Sequence, residues 1–182
     1  MRVIAGKAKG RMLIAPEGLN TRPIMAKMKE ALFSMWQFDI YGANFLDLFA
    51  GSGSMGIEAI SRGAKRAVFV EMDRNAIDVI KKNIKTCNFG DEAEVYQDDV
   101  FARIQWFKKT GQKFDIIYLD PPFTVDSIFI PVMEALDEAD ILAEDGVIVA
   151  EHWAKLELPE ELHGFEKIKE RKYGHIVLSI YG

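Results

Sequence analysis

Cysteine is nearly absent: Cys87 is alone in a chain of 182 residues. An internal disulfide framework is therefore excluded, and the composition suits a reducing compartment, so a cytoplasmic location is expected. His152, His163 and His175 stand 11 and 12 residues apart with no cysteine cluster beside them. That spacing argues against structural zinc, and no metal is expected. No apolar run approaches the roughly 18 residues that a membrane span needs. Charge interrupts MRVIAGKAKGR too early for a secretory signal. Internal repeats and low-complexity segments are missing as well. What is left is a chain that is 49% hydrophobic and 28% charged, with the length and core of one soluble domain over residues 1–182 and a monomer as the default.

The net charge of −5 is unevenly spread. Residues 1–30 carry seven basic side chains (Arg2, Lys7, Lys9, Arg11, Arg22, Lys27, Lys29) against Glu17 and Glu30, a net of +5. The other 152 residues carry a net of −10. A basic arm on an acidic body can contact phosphates while the body binds something else. A merely solvated basic hairpin gives the same charge pattern.

The arm, residues 1–23, reads as a small hairpin (Arg2–Gly6, Arg11–Ala15) followed by a loop from Pro16 to Pro23. Met28, Ala31, Leu32 and Met35 recur at helical spacing within Ile24–Phe38. Strands then alternate with helices. The strands are Asn44–Phe49, Arg66–Glu71, Ala93–Gln97, Phe114–Leu119 and Gly146–Glu151. The helices are Ser54–Arg62, Arg74–Cys87, Val100–Lys109 and Asp126–Ala139. Phe165–Arg171 and His175–Tyr181 suggest a closing hairpin. The expectation is an α/β fold: a Rossmann-like, mostly parallel sheet of seven strands, covered on both faces, with an antiparallel edge hairpin.

Within LDLFAGSGSMGIEA, Gly51, Gly53 and Gly56 fit G-x-G-x-x-G, and Glu71 stands 20 residues past Gly51. Taken alone this is the spacing of a dinucleotide site. It is also what a structural strand–helix turn can show. Asp47 separates the possibilities. A pyrophosphate would sit against an electropositive helix N-terminus, and a carboxylate just before that loop repels it. A sulfonium and an ammonium group, as in S-adenosylmethionine, are attracted instead. Glu71 suits the ribose hydroxyls, each carboxylate oxygen accepting one hydrogen bond. Met72 suits the adenine face. In Asp98-Asp99-Val100, Asp99 suits the adenine amino group, although helix capping explains this pair nearly as well.

Asp120-Pro121-Pro122-Phe123 follows the apolar run FDIIYL, on the ligand side of the sheet. Two prolines stiffen the backbone and remove two donors. The Asp120 carboxylate and Pro121 carbonyl remain as acceptors for the two hydrogens of an exocyclic amino group, and Phe123 offers a face for a base to stack on. Hydride transfer needs no such pair, whereas methyl transfer to an amine gains from it through alignment. A base held in a duplex or stack must be extruded to reach this pocket.

DLFAGSGSMGIEA, FVEMD (69–73) and DPPF (120–123) resemble class I S-adenosylmethionine-dependent methyltransferases acting on amino groups. RVIAGKAKGR, TRP (21–23), KEALFSMW (29–36), EH (151–152) and RKYG make the whole chain similar to the bacterial 16S ribosomal RNA guanine-N2 methyltransferases, whose target is guanine 966. The resemblance implies an RNA methyltransferase of the small ribosomal subunit. Asp47, Gly51 and Gly53 would line the methionine part of the cofactor, with Phe49 beside them. Glu71 and Met72 would hold ribose and adenine, and Asp99 with Val100 would reach the adenine. Asp120, Pro121, Pro122 and Phe123 would hold the base, and Arg2, Lys7, Lys9, Arg11 and Arg22 would meet RNA. Ile24 and Ala26 replace a Thr and an Asp usual in the family. They alone support a degenerate protein that only binds RNA. A DNA adenine-N6 methyltransferase would need a recognition domain for which the chain has little room. A protein-amide methyltransferase is disfavoured by the basic arm.

Overall fold

The structure, a computed structural model, describes residues 1–17, 23–122 and 126–182. Eight strands form one sheet: β1 (Asn44–Leu48), β2 (Arg66–Glu71), β3 (Ala93–Gln97), β4 (Phe114–Leu119), β5 (Leu142–Trp153), β6 (Glu161–Leu162), β7 (Phe165–Tyr173) and β8 (Ile176–Tyr181). Their order is β3-β2-β1-β4-β5-β8-β7-β6. β1 to β5 pair in parallel, and β8, β7 and β6 extend the β5 edge antiparallel. The expected seven strands become eight because Glu161–Leu162 adds a two-residue pair to β7, too short to leave a periodic signal.

The helices are α1 (Pro23–Met35), α2 (Ser54–Ser61), α3 (Arg74–Cys87), α4 (Val100–Lys109) and α5 (Phe129–Ala139), with a 3-10 turn at Asp126–Ile128. Both faces of the sheet are covered, so the central strands are apolar on both sides. Phe45, Phe69, Ile116 and Val149 belong to one core with Leu32, Ile57 and Ile80 of α1, α2 and α3. Leu46, Val68, Ile117 and Ile148 belong to the other, with Ile104, Phe107 and Met133 of α4 and α5. Residues alternate between the cores because side chains alternate along a strand. Gly56 sets the spacing of α2 over β2, since a Cβ there would lie 2.4 Å from the Phe69 ring. No helix among the described residues is long and apolar enough to cross a membrane.

The N-terminal segment is a small antiparallel hairpin, with Arg2 bridging Met12 and Val3 N–H donating to Arg11 O at 3.0 Å. It is fixed to the body by buried polar side chains, Lys29 among them through Arg2 O at 3.3 Å. Glu58 accepts from Ile4 N and Ala5 N at 3.0 and 3.1 Å. Ser61 Oγ accepts from Ala8 N and donates to Ala5 O. Asn83 exchanges two hydrogen bonds with the backbone of Ile14 and donates to Ser52 O at the glycine loop. Gly6 lets the two backbones touch: a Cβ there would stand 1.8 Å from Ser61 O.

Glu58 also pairs with Arg62 at 2.9 Å and with the buried Lys29 at 3.4 Å. Burial lowers the Lys29 pKa, and Glu58 opposes that shift. Glu58→Ala leaves the buried Lys29 ammonium, which retains Arg2 O and Ser54 Oγ, without its counter-charge, and two backbone donors without their acceptor. The expected loss is about 3–5 kcal/mol of stability, read from urea unfolding. A change under about 1 kcal/mol would contradict the fastening role assigned to Glu58.

Candidate active site

Strand order reverses between β1 and β4, so the loops leaving their carboxyl ends diverge and open a crevice. Asp47, Glu71, Tyr118, Asp120 and Glu151 come to this end. Their strand positions alternate with the α4–α5 core residues, which puts all five on the α1–α3 face.

Asp47 is 2% exposed and accepts a hydrogen bond from Gly56 N at 3.2 Å. It therefore caps α2 from a neighbouring strand, because the N-cap residue Gly53 has no side chain to do so. Burial raises its pKa well above the usual carboxylate range, and the charges of Glu71 and Glu151 add to that. Phe49 takes a positive φ of 61°, and Gly51 and Gly53 follow at 58° and 77°. A non-glycine residue in that region marks a turn held by its surroundings. A Cβ on Gly51 would meet nothing within 4 Å, so this stretch of loop backbone borders open space.

Glu71 ties the glycine loop to β2. Its Oε2 accepts from Gly51 N, and its Oε1 accepts from Met72 N and Asp73 N, all at 2.9 Å. A carboxylate has about four acceptor sites, so three are occupied. One site on Oε2 remains, where the sequence suggested one ribose hydroxyl for each oxygen. Met72 is 68% exposed beside it. Asp99 is the N-cap of α4, accepting from Ala102 N. Asp98 is held by Arg103 at 2.8 Å, and Val100 is buried. The capping explanation thus holds for Asp99, and it uses one of the two carboxylate oxygens.

At the end of β4, Asp120 N–H donates to Leu48 O at 3.4 Å, which sets the Asp-Pro-Pro segment beside the glycine loop. Pro121 is buried and Pro122 exposed. The Asp120 pKa is pushed well up by burial, then by the charges of Glu151 and Asp47. Phe123 and Arg22 lie outside the described residues, as does the side chain of Ile24.

Two members of this cluster were given no site role from the sequence, Tyr118 and Glu151, although Glu151 belongs to the EH pair of the family resemblance. The Tyr118 hydroxyl donates to Glu151 Oε2, while Glu151 Oε1 is buried without a hydrogen-bond partner among the described residues. Burial raises the Glu151 pKa to about 7, and the Tyr118 hydrogen bond opposes the rise. The available signal was a carboxylate closing the apolar run GVIVAE on the ligand side. Since its pKa is raised on folding, Glu151 favours the folded state at low pH and loses that contribution as pH rises through about 7. Glu151→Gln is expected to be more stable than wild type above pH 7, by on the order of 2–3 kcal/mol. Urea midpoints from pH 5 to 8 test this; parallel pH curves would contradict it.

The basic residues of the hairpin are exposed: Arg2, Lys7, Lys9 and Arg11. Lys7 is paired with Glu92 at 2.7 Å and lies 4.9 Å from the Phe89 ring centroid. Its charge is partly neutralised in place.

An open sheet with this strand order, a glycine turn after β1 and carboxylates closing β2 and β4 defines the class I methyltransferase fold. A family model described as "Conserved hypothetical protein 95" matches residues 1–182. The chain belongs to this family, which is shared with the small-subunit ribosomal RNA methyltransferase D proteins. It is 41% identical to YlbH of Bacillus subtilis, a candidate rRNA methyltransferase, over 100% of this chain and 98% of that protein. It is 30% identical to Ribosomal RNA small subunit methyltransferase D of Escherichia coli K12, over 100% of this chain and 89% of the other. Among solved structures, the E. coli protein yhhF, a candidate methyltransferase, superposes with a TM-score of 0.85 at 28% identity, covering 100% and 96% of the two chains.

The residues fit S-adenosylmethionine. Among the described residues the charged groups that bear on Asp47 and Asp120 are carboxylates, so the crevice favours a ligand carrying positive charge, and Glu151 Oε1 adds a buried acceptor with no hydrogen-bond partner among those residues. The same charges oppose a pyrophosphate, so the dinucleotide spacing of the glycines does not decide the ligand.

Proposed function

We propose that this protein methylates ribosomal RNA of the small subunit, transferring a methyl group from S-adenosylmethionine to the exocyclic N2 amino group of a guanine, guanine 966 by family resemblance. The observation that carries this is the Asp120-Pro121 edge beside a crevice of buried carboxylates at the β1/β4 switch point. The whole-chain likeness to small-subunit rRNA methyltransferases supports the substrate class. It acts as a cytoplasmic monomer, one methyltransferase domain with residues 1–23 as its RNA-contacting extension.

The cofactor supplies a methyl group already activated by the sulfonium. Asp47 and the turn at Phe49, Gly51 and Gly53 hold its methionine end. Glu71 takes one ribose hydroxyl at its remaining Oε2 site while fixing the loop, Met72 packs on the adenine, and Asp99 with Val100 closes that end. Asp120 and the Pro121 carbonyl accept the two amino hydrogens out of the ring plane, which localises the nitrogen lone pair. Pro122 stiffens this edge, and Phe123 stacks on the base. The main contribution is alignment of the amine with the methyl group.

Arg2, Lys9, Arg11 and Arg22 meet phosphates, with Lys7 after release from Glu92. Reversing Lys7, Lys9 and Arg11 to Glu is expected to weaken RNA binding. It should also flatten the salt dependence by roughly 0.7 in slope for each single-strand phosphate no longer neutralised. An unchanged slope in filter-binding titrations would remove the hairpin from the interface. Calorimetry with S-adenosylmethionine tests the cofactor assignment. Absence of binding heat, together with no methyl transfer to small-subunit particles, would overturn the enzymatic reading.

A further inference from the structure

We propose that Glu151 is a positioning residue that receives, through Asp120, the proton that the target amine gives up on methylation. This rests on the methyl-transfer function above.

The geometry comes from the β4–β5 register. Leu119 pairs with Ala150, so Asp120 and Glu151 come side by side one step further along two parallel strands. The Tyr118 hydroxyl on Glu151 Oε2 fixes that carboxylate on the Tyr118 and Asp120 face. Glu151 is 1% exposed, and its Oε1 has no hydrogen-bond partner among the described residues. A buried acceptor left open is costly and uncommon. A proton arriving on Asp120 can be shared with it.

The charges supply the timing. Among the described residues, the charged groups that bear on Asp47 and Asp120 are carboxylates: Glu71 and Glu151 for the first, Asp47 and Glu151 for the second. The charged groups set against Glu151 are Asp120 and Asp47, with the neutral Tyr118 hydroxyl as its donor. An opposite charge within about 4–6 Å lowers a carboxylate pKa by about 1–3 units. A bound sulfonium therefore favours loss of protons from this cluster. During transfer the nitrogen lone pair forms the N–C bond while the C–S bond breaks and leaves its electrons on sulfur. The nitrogen is left positive with one N–H proton to lose. That proton passes to the Asp120 carboxylate, then to Glu151 Oε1, then to water. With the sulfonium charge gone, the carboxylates bind protons more tightly at the moment one is released.

Proton release on cofactor binding tests this without turnover. Calorimetry at pH 7, in two buffers of different ionisation enthalpy, compares S-adenosylmethionine with S-adenosylhomocysteine, which has no sulfonium. Wild type is expected to release a larger fraction of a proton with the first ligand, and Glu151→Gln should largely abolish the difference. Tyr118→Phe removes a donor that holds the Glu151 pKa down, so the midpoint of release should move to higher pH. This second variant decides the matter should Glu151→Gln not fold. In turnover, kcat/KM of wild type should rise about tenfold from pH 6 to a plateau above 7, following ionisation of a group near 7, while Glu151→Gln stays flat. Equal proton release with both ligands, or a wild-type pH profile in Glu151→Gln, overturns the assignment of Glu151 alone. No binding by the wild-type protein overturns the methyltransferase function as well.

Discussion

Asp120→Ala is expected to lower kcat by on the order of a hundred- to a thousandfold, the usual loss when one preorganised polar group is taken from a transition state. Cofactor affinity should change little. Asp120 closes β4 next to the glycine loop, where its N–H bonds Leu48 O, and alanine retains that backbone bond. What disappears is a carboxylate whose pKa is raised by burial and by its neighbours Glu151 and Asp47. Removing one of three crowded carboxylates relieves repulsion, so unfolding should show no loss of stability. Single-turnover methylation and calorimetry on the same variant check the split. An equal loss of rate and of cofactor affinity would mean that Asp120 holds the methyl donor and not the amine.

Glu71→Ala should produce the opposite split. Glu71 Oε2 holds the glycine turn through Gly51 N while Oε1 holds the turn after β2 through Met72 N and Asp73 N, and the site left on Oε2 accepts a ribose hydroxyl. Hydrogen bonds to a charged group contribute about 1.5–3 kcal/mol. Affinity for S-adenosylmethionine should therefore fall by on the order of a hundredfold, which is about 2.7 kcal/mol. The rate at saturating cofactor should stay within about threefold of wild type, because the aligned amine edge is untouched. Unchanged affinity would mean that the ribose lies elsewhere and that Glu71 only shapes the loop.

The contrast between these variants follows from what was legible in the sequence. RAVFVE and FDIIYL read as buried strands because both faces of a central parallel strand are apolar, and they form β2 and β4. Glycine spacing placed the turn, Asp47 stood out as a charge inside an apolar run, and Asp120 as a charge at the end of another. Other features depend on contacts between distant segments. Glu58 lies within GIEA and looks like a solvated helical residue, yet it is fully buried and bonds a backbone 54 residues away. Asn83 does the same for Ile14 at a separation of 69. No local period encodes such pairs, so the hairpin was visible as a basic segment but its fixed attachment was not. β5 starts earlier than expected, at Leu142, and carries an irregularity opposite Phe114 to Ile116 that the Gly146 signal concealed. α1 ends at Met35, before the expected Phe38, where Trp36 N and Asp39 N turn back only three residues, to Phe33 O and Trp36 O. Glu71 was legible as an acidic residue at the right spacing. Its three backbone donors were not, since Gly51 N comes from a loop conformation set by Phe49, Gly51 and Gly53 and the other two from the turn directly after β2.

The most direct measurement is mass-spectrometric mapping of modified nucleosides in small-subunit ribosomal RNA from cells with and without this gene. The account predicts one N2-methylguanine, at position 966, present with the gene, absent without it, and not restored by Asp120→Ala. Identical modification maps from the two strains, or loss of a methyl group from any atom other than an exocyclic amine, would contradict it.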